Sequence, residues 1–309
     1  MIEIQQILCP VDFSDHSRRA LDHALAIARW YESTVTVLHV FSLVPVAAAG
    51  PLVVEPILLM NPAQLLADVT AFAGTGSASG VTIEAVVRQG ATAGEILDQA
   101  ASMNADLLVI GTHGRSGFDR LLLGSVAEKV LRKAGCPVMT VPRRASDAVP
   151  AGPVLYKRIL CPVDFSESSL QALKYAISLT QEADGQLTVL HVLEHELPSR
   201  AVLAAGKDDG VMTVSEFMRA REEDLERRLH DISVGAPEFC RVEALMTHGK
   251  PWREVLRVAA EQHSDLIVMG VQGRGATDLL FFGSTTQHVV REASCPVLTL
   301  RQAATATPA

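Results

Sequence analysis

The residues best suited to chemistry are glycines and hydroxyls, which occur with the same spacing at two places in the chain. Gly111 and Gly114 are followed, after nine intervening residues, by Gly124 and Ser125. The same G-x2-G-x9-G-S spacing returns at Gly270, Gly273, Gly283 and Ser284. Glycines let a backbone turn tightly and approach a ligand closely, because no Cβ intervenes. A Gly-Ser pair that opens a helix also offers backbone N–H groups and the positive end of the helix dipole to a phosphate. The pattern therefore predicts a phosphate cradle, and it differs from both the Walker A and the Rossmann fingerprints.

The glycine motif occurs twice because the chain contains an internal repeat. The octapeptide ILCPVDFS occurs at 7–14 and again at 159–166, and CPVMT at 136–140 returns as CPVLT at 295–299. A repeat of this length is a whole domain rather than a solenoid unit. We therefore expect two tandem domains, at residues 1–145 and 156–302, joined by a linker at 146–155.

Each copy alternates short apolar runs with amphipathic helical stretches. In copy one, strands are predicted at 4–11 and 34–41, a helix begins after Ser14, and a second helix spans 125–133. This alternation predicts an α/β fold, in which each domain is a doubly wound, five-stranded parallel sheet of Rossmann-like type. Ligands on such sheets bind beyond the carboxyl ends of the strands.

Composition restricts the class of protein and of partner. The 309 residues are 48% hydrophobic and 20% charged, with a net charge of −8, so the chain is globular and has no basic footprint for nucleic acid. The start shows no basic region followed by an apolar one, and no cysteine spacing suggests zinc, so we expect a reduced, cytoplasmic protein. The apolar stretch 40–60 is interrupted by three prolines, so we interpret it as a loop, either a core cover or a partner surface, and expect no membrane span.

In sequence, each half resembles the universal stress protein family, in its ATP-binding subgroup, and the chain resembles a tandem-type member. The PVDFS of the first strand, the LHV that ends the second strand and the glycine motif occur in this order in both halves. The resemblance implies that each copy binds ATP, with Mg²⁺. The resemblance further implies that the last strands of the two copies, 137–141 and 296–300, pair with each other, because in the family such strands join two monomers. It also implies a further association of two tandem chains into a homodimer.

The resemblance assigns nucleotide contacts by position. The implied adenosine contacts lie at the ends of the first two strands of each copy. They are Pro10, Val11, Asp12 and Val40, and in copy two Pro162, Val163, Asp164 and Val192. Asp12 would lie on the ribose and phosphate side, and the backbone of Val40 would hold adenine. The implied phosphate loop and helix start are Gly111, Gly114, Arg115, Gly124, Ser125 and Val126, and in copy two Gly270, Gly273, Arg274, Gly283, Ser284 and Thr285. Copy two differs at Gln272 and Thr285, where copy one has His113 and Val126. Neither change removes a glycine or the hydroxyl, so we expect both sites to be competent.

Several alternatives remain open from the residues alone. Asp12 and Asp164 could brace the turn before a helix instead of touching a nucleotide. His39 and His191 fit satisfied core histidines better than catalysts. No catalytic triad or metal-ligand spacing is readable. The functional hypotheses are therefore an ATP-holding sensor or adaptor with an unidentified protein partner, a weak ATPase or nucleotidyl-transfer enzyme, and an interaction module whose glycines serve only the fold.

Overall fold

The computed structural model describes residues 2–42, 61–74, 80–112, 123–142, 156–194, 214–235, 240–271 and 283–301. Copy one contains β1 (Gln6–Pro10), α1 (Asp15–Tyr31), β2 (Thr34–Phe41), α2 (Pro62–Gly74), β3 (Thr82–Gln89), α3 (Thr92–Ser102), β4 (Leu107–Gly111), α4 (Ser125–Lys133) and β5 (Val138–Val141). Copy two contains β6 (Arg158–Pro162), α5 (Glu167–Glu182), β7 (Gln186–Leu193), α6 (Val214–Val234), β8 (Arg241–His248), α7 (Pro251–Glu261), β9 (Leu266–Gly270), α8 (Ser284–Glu292) and β10 (Val297–Leu300).

The predicted elements are present, and their ends differ by one or two residues. The second strand and the helix at 125–133 have the predicted bounds. Ser14 caps α1, because its side chain accepts a hydrogen bond from the N–H of Ser17. The first strand is shorter than expected and ends at Pro10, since the chain turns directly after it. The predicted linker and most of the apolar 40–60 stretch lie outside the described residues.

The ten strands of the described residues form one sheet, in the order β3-β2-β1-β4-β5-β10-β9-β6-β7-β8. Strands within each copy are parallel, whereas β5 and β10 are antiparallel, with Thr140 opposite Val297. The hydroxyls of Thr140 and Thr299 donate across this seam to the carbonyls of Val297 and Val138, at 3.3 and 3.0 Å. The predicted pairing of the two last strands is therefore confirmed. Because the pairing is antiparallel, the carboxyl ends of the two sets of strands lie at opposite edges of the sheet.

Side-chain alternation along the strands explains the two core layers. Ile7 and Cys9 of β1 point into the layer that holds α1 and α2, and Leu8 points into the layer that holds α3 and α4. Residues 159–161 of β6 divide in the same way. Helices therefore cover both faces of the sheet, since the connection after β1 leads to α1 on one face and the connection after β4 leads to α4 on the other. The gap between β1 and β4 is consequently a topological switch point, where ligands of such folds bind.

Polar contacts inside the α1 layer also join the copies. Tyr156, which precedes β6, is fully buried, and its hydroxyl lies 2.5 Å from Nδ1 of His23 in α1. The hydroxyl of Tyr31 lies 2.9 Å from that of Ser178 in α5. Among the described helices, none is both long enough and apolar enough to cross a bilayer.

Candidate functional site

The end of β1 is tied firmly to β2. The N–H of Val11 donates to the carbonyl of Leu38 at 2.8 Å, and the Nδ1 of His39 lies 2.8 Å from the carbonyl of Val11. A carbonyl only accepts, so Nδ1 carries the proton and donates. His39 is buried and hydrogen-bonded, as the interpretation of a core histidine requires. Its effect is to hold the backbone just before Asp12 in place.

Asp12 braces the turn that leads into α1. Its Oδ1 accepts hydrogen bonds from the N–H of Ser14 at 3.1 Å and from the hydroxyl of Ser14 at 2.5 Å. Between them, Phe13 adopts a left-handed backbone conformation with φ of 63°, which is uncommon for a bulky residue. The Oδ1 of Asp12 therefore braces the turn before the helix, which is one of the two roles considered for this residue. The left-handed Phe13 was not foreseen, although the identical PVDFS in both copies was its sequence signal.

Copy two repeats this geometry closely. Asp164 accepts from the N–H and hydroxyl of Ser166 at 3.0 and 2.5 Å, and Phe165 has φ of 60°. His191 donates to the carbonyl of Val163 at 2.7 Å. A strained turn that is kept twice, with the same bracing, indicates that the fold over-determines it, which is common at ligand sites.

Val40 presents its backbone to the switch point. The carbonyl of Leu38 faces β1, and the carbonyl of Phe41 faces β3, where it accepts from Gly90. Because backbone groups alternate sides along a strand, the N–H and C=O of Val40 face the β1 side. β1 has already ended at Pro10 and the chain has turned away. The donor and acceptor of Val40 therefore point into the gap beyond the end of β1.

Val192 of copy two has the same orientation. Leu190 accepts from Val163 on the β6 side, and Leu193 accepts from Gly249 on the β8 side. Because backbone groups alternate sides along the strand, the N–H and C=O of Val192 point to the same side as those of Leu190 and face the end of β6. Each copy thus offers one backbone donor and one backbone acceptor in the gap at its switch point.

The glycine motif begins and ends at one point beside this gap. Gly111 ends β4, and the N–H of Thr112 donates to Val141 at 3.0 Å. The N–H of Gly124 donates to the carbonyl of Thr112 at 2.8 Å, so α4 starts next to the end of β4. Gly124 is the N-cap residue of α4 without a side-chain cap, and Ser125 is its exposed first residue. In copy two, the N–H of Gly283 donates to the carbonyl of Val271 at 3.1 Å.

Two of the glycines are also needed by the fold. A Cβ at Gly270 would lie 2.7 to 2.9 Å from Ser168 and Ser169 at the start of α5. A Cβ at Gly283 would lie 2.9 Å from the carbonyl oxygen of Val271. The helix that follows the first strand therefore packs directly on the glycine that ends β9. The glycines were interpreted as room for a ligand, and at these two positions the room is used by the protein itself.

The structure brings together part of the predicted site. Pro10, Val11, Asp12, Val40, Gly111, Gly124, Ser125 and Val126 lie at the carboxyl edge of copy one, and their counterparts lie at the opposite edge in copy two. The remaining loop residues that the sequence predicted lie outside the described part of the chain: Gly114, Arg115, Gly273 and Arg274. Across the described ranges, no group of three or more His, Cys, Asp or Glu side chains is placed to hold a metal ion.

Fold and site together define a doubly wound α/β protein with a polar backbone crevice at each switch point. The sequence model of the universal stress protein family matches residues 3–142 and 155–301, and the chain belongs to that family. A universal stress protein of Mycolicibacterium smegmatis is 26% identical over 308 residues, 96% of each chain. One from Methanocaldococcus jannaschii is 35% identical over 152 residues, 49% of this chain and 85% of its own. A universal stress protein structure from Archaeoglobus fulgidus shares the fold over 97% of both chains, with a TM-score of 0.63 and 24% identity.

Proposed function

We propose that each copy binds ATP in the crevice at its switch point, and that occupancy alters contacts with a partner or with a second chain. The observation that carries the proposal is the orientation of Val40 and Val192, whose N–H and C=O face the gap beyond β1 and β6. An adenine edge offers an acceptor, N7, beside a donor, the N6 amino group, which matches such a pair. Guanine presents O6 instead of the amino group, so an acceptor would face the backbone carbonyl.

The other groups at the crevice fit the rest of the nucleotide. The start of α4 beside the end of β4 supplies the first N–H groups of a helix, which favour a phosphate. Asp12 places a carboxylate at the same edge, where it would repel phosphates unless a cation lies between them. Carboxylate and phosphate oxygens are the ligands that Mg²⁺ prefers. We therefore propose ATP with Mg²⁺ as the bound form, held at Asp12 in copy one and Asp164 in copy two.

Nucleotide titration of the full chain tests this proposal. We expect two equivalents of ATP per chain in the presence of Mg²⁺, with GTP at least tenfold weaker because of the mismatch at O6. Asp12→Asn keeps an oxygen that can accept from Ser14 and removes the charge, so it should weaken one of the two equivalents. Asp164→Asn should weaken the other. No ATP binding, or equal binding of ATP and GTP, would refute the site.

Matched variants separate the site from the fold. Gly114→Ala together with Gly273→Ala should abolish nucleotide binding while the unfolding midpoint changes little. Gly135→Ala is the control, because a Cβ there meets no atom within 4 Å and the residue lies outside the crevice. If the double variant and the Gly135→Ala control bind ATP equally, the loop is wrongly assigned.

An interaction module without nucleotide is the second candidate, and the packing at Gly270 and Gly283 favours it. Both glycines are required by close contacts of the protein with itself, so their presence does not by itself demand a ligand. Denaturing freshly purified protein and quantifying the released nucleotide distinguishes the candidates. Close to two ATP per chain supports the sensor, mostly ADP supports a slow ATPase, and no nucleotide combined with no binding of added ATP supports the module.

The sensor proposal includes self-association and a place of action. Two tandem chains are proposed to form a homodimer in the cytoplasm, in addition to the pairing of copies within one chain. Light scattering of the purified protein with and without ATP measures this directly. A mass of one chain under both conditions would contradict the homodimer and leave nucleotide binding to be judged by titration.

A further inference from the structure

Copy one has a cleft of about 380 Å³ between the start of α3 and one side of α4. Small-molecule sites in proteins typically begin at about 300 Å³. The walls are partly apolar, with Ala93 and Leu97 from α3 and Val126 from α4. Lys129 and Lys133, both exposed, line it from α4. The cleft therefore combines an apolar surface with positive charge.

The two lysines make this wall of the cleft cationic. They are four residues apart on α4, so their ammonium groups lie on one face of the helix and repel each other. Among the described residues that line the cleft, none has an acidic side chain. An anion in the cleft would relieve this repulsion. Thr92 and Ser125 also border it, and they are the first residues of α3 and α4, so the positive ends of both helix dipoles add to the attraction.

Copy two closes the same place with its own aromatic ring. The two copies correspond here at an offset of 159 residues, which puts Trp252 at the position of Ala93 and His288 at that of Lys129. The Trp252 and His288 rings are stacked, with centroids 4.6 Å apart and an interplanar angle of 15°. The guanidinium carbon of Arg253 lies 5.0 Å from the centre of the Trp252 ring. The position of Lys133 is occupied by Glu292, which reverses the charge.

We propose that the cleft of copy one binds a small aromatic anion, at a site separate from the nucleotide crevice. The stacked Trp252 of copy two shows that an aromatic ring fits between the two helices at this level. In copy one, Ala93 leaves that space open, and Lys129 is positioned to lie over a bound ring as a cation–π partner. Lys133 then pairs with the negative group of the ligand. In copy two, the Trp252 ring stands at the corresponding position.

The separation from the crevice follows from the residues involved. The crevice is formed by the ends of β1, β2 and β4, whereas the cleft lies on the helix face, with Lys133 at the last turn of α4. Of the described residues, the two have in common Ser125 and Val126, the first residues of α4. Binding in the cleft therefore does not require a nucleotide to bind in the crevice.

Titration of the full chain with phenyl phosphate tests the proposal, with ATP and Mg²⁺ present in excess. We expect one equivalent of phenyl phosphate per chain, bound at least tenfold more tightly than inorganic phosphate. Lys129→Gln together with Lys133→Gln should weaken binding at least tenfold. Ala93→Trp, which rebuilds the ring of copy two, should abolish it. Lys174→Gln, which removes an exposed charge from α5, is the control and should bind like the unmodified chain.

Three results would overturn the proposal. These are the absence of saturable binding, binding of inorganic phosphate as tight as that of phenyl phosphate, and unchanged binding in the double lysine variant. The last result would mean that the anion binds outside this cleft. Because both lysines are exposed, their replacement leaves the fold intact, and the conclusion does not depend on whether Ala93→Trp folds.

Discussion

Lowering the pH should weaken the contact between the two copies, because His23 is buried there as a neutral ring. Its Nδ1 lies 2.5 Å from the hydroxyl of Tyr156, and both side chains are buried where α1 meets the start of copy two. Burial lowers the pKa of His23 from 6.5 to about 4. The folded protein therefore resists protonation of this ring over more than two pH units.

The direction and size of the effect follow from the two pKa values. The unfolded chain takes up the proton below about pH 6.5, whereas the folded chain does so only near pH 4. The contribution to the free energy of unfolding is therefore complete above pH 6.5 and is lost as the pH falls towards 4. Integrated over these values, the loss between about pH 7.5 and about pH 5 is about 2 kcal/mol.

Urea unfolding at these two pH values measures the loss. Trp30 is a suitable fluorescent probe, because its ring centroid lies 5.6 Å from that of Tyr156 and the chain has only one other tryptophan. The comparison variant is His23→Leu together with Tyr156→Phe. It removes the imidazole and the hydroxyl together, so neither polar group stays buried after losing its partner. The unmodified chain should lose about 2 kcal/mol more than this variant between the two pH values. An equal loss in both proteins would refute the account, since all other titrating groups are common to them.

Two further predictions concern the frame of the site, and urea unfolding measures both. Gly270→Ala should destabilise copy two by about 1–3 kcal/mol, because the added Cβ would lie within 2.9 Å of Ser168 and Ser169 at the start of α5. Gly135→Ala, which meets open space, should leave the unfolding midpoint unchanged, and equal midpoints for the two variants would contradict the packing argument. Ser14→Ala should cost about 1 kcal/mol, because this residue caps α1 and donates to Asp12. A loss well below that of a typical cap would mean that the turn is held by other contacts.

The sequence alone predicted much of the fold because its signals are local and repeated. The alternation of apolar runs and amphipathic helices indicated parallel sheets, and the second strand and α4 have the predicted bounds. The duplication indicated two copies of one domain, and the family resemblance implied that their last strands pair, which the antiparallel β5–β10 pairing confirms. For the site, the sequence indicated which residues follow the strands, since strand ends are visible where the apolar pattern stops.

Only the tertiary structure decided how those residues are used. The role of Asp12 as a brace and the left-handed Phe13 depend on dihedral angles and hydrogen bonds that a residue pattern does not contain. The need for glycine at 270 comes from α5, a helix about a hundred residues earlier in the chain. The difference between the open cleft of copy one and the filled one of copy two required two helices to be seen side by side. The physical reason is the same in each case: local periodicity fixes which elements form, while their approach in space fixes what each side chain can touch.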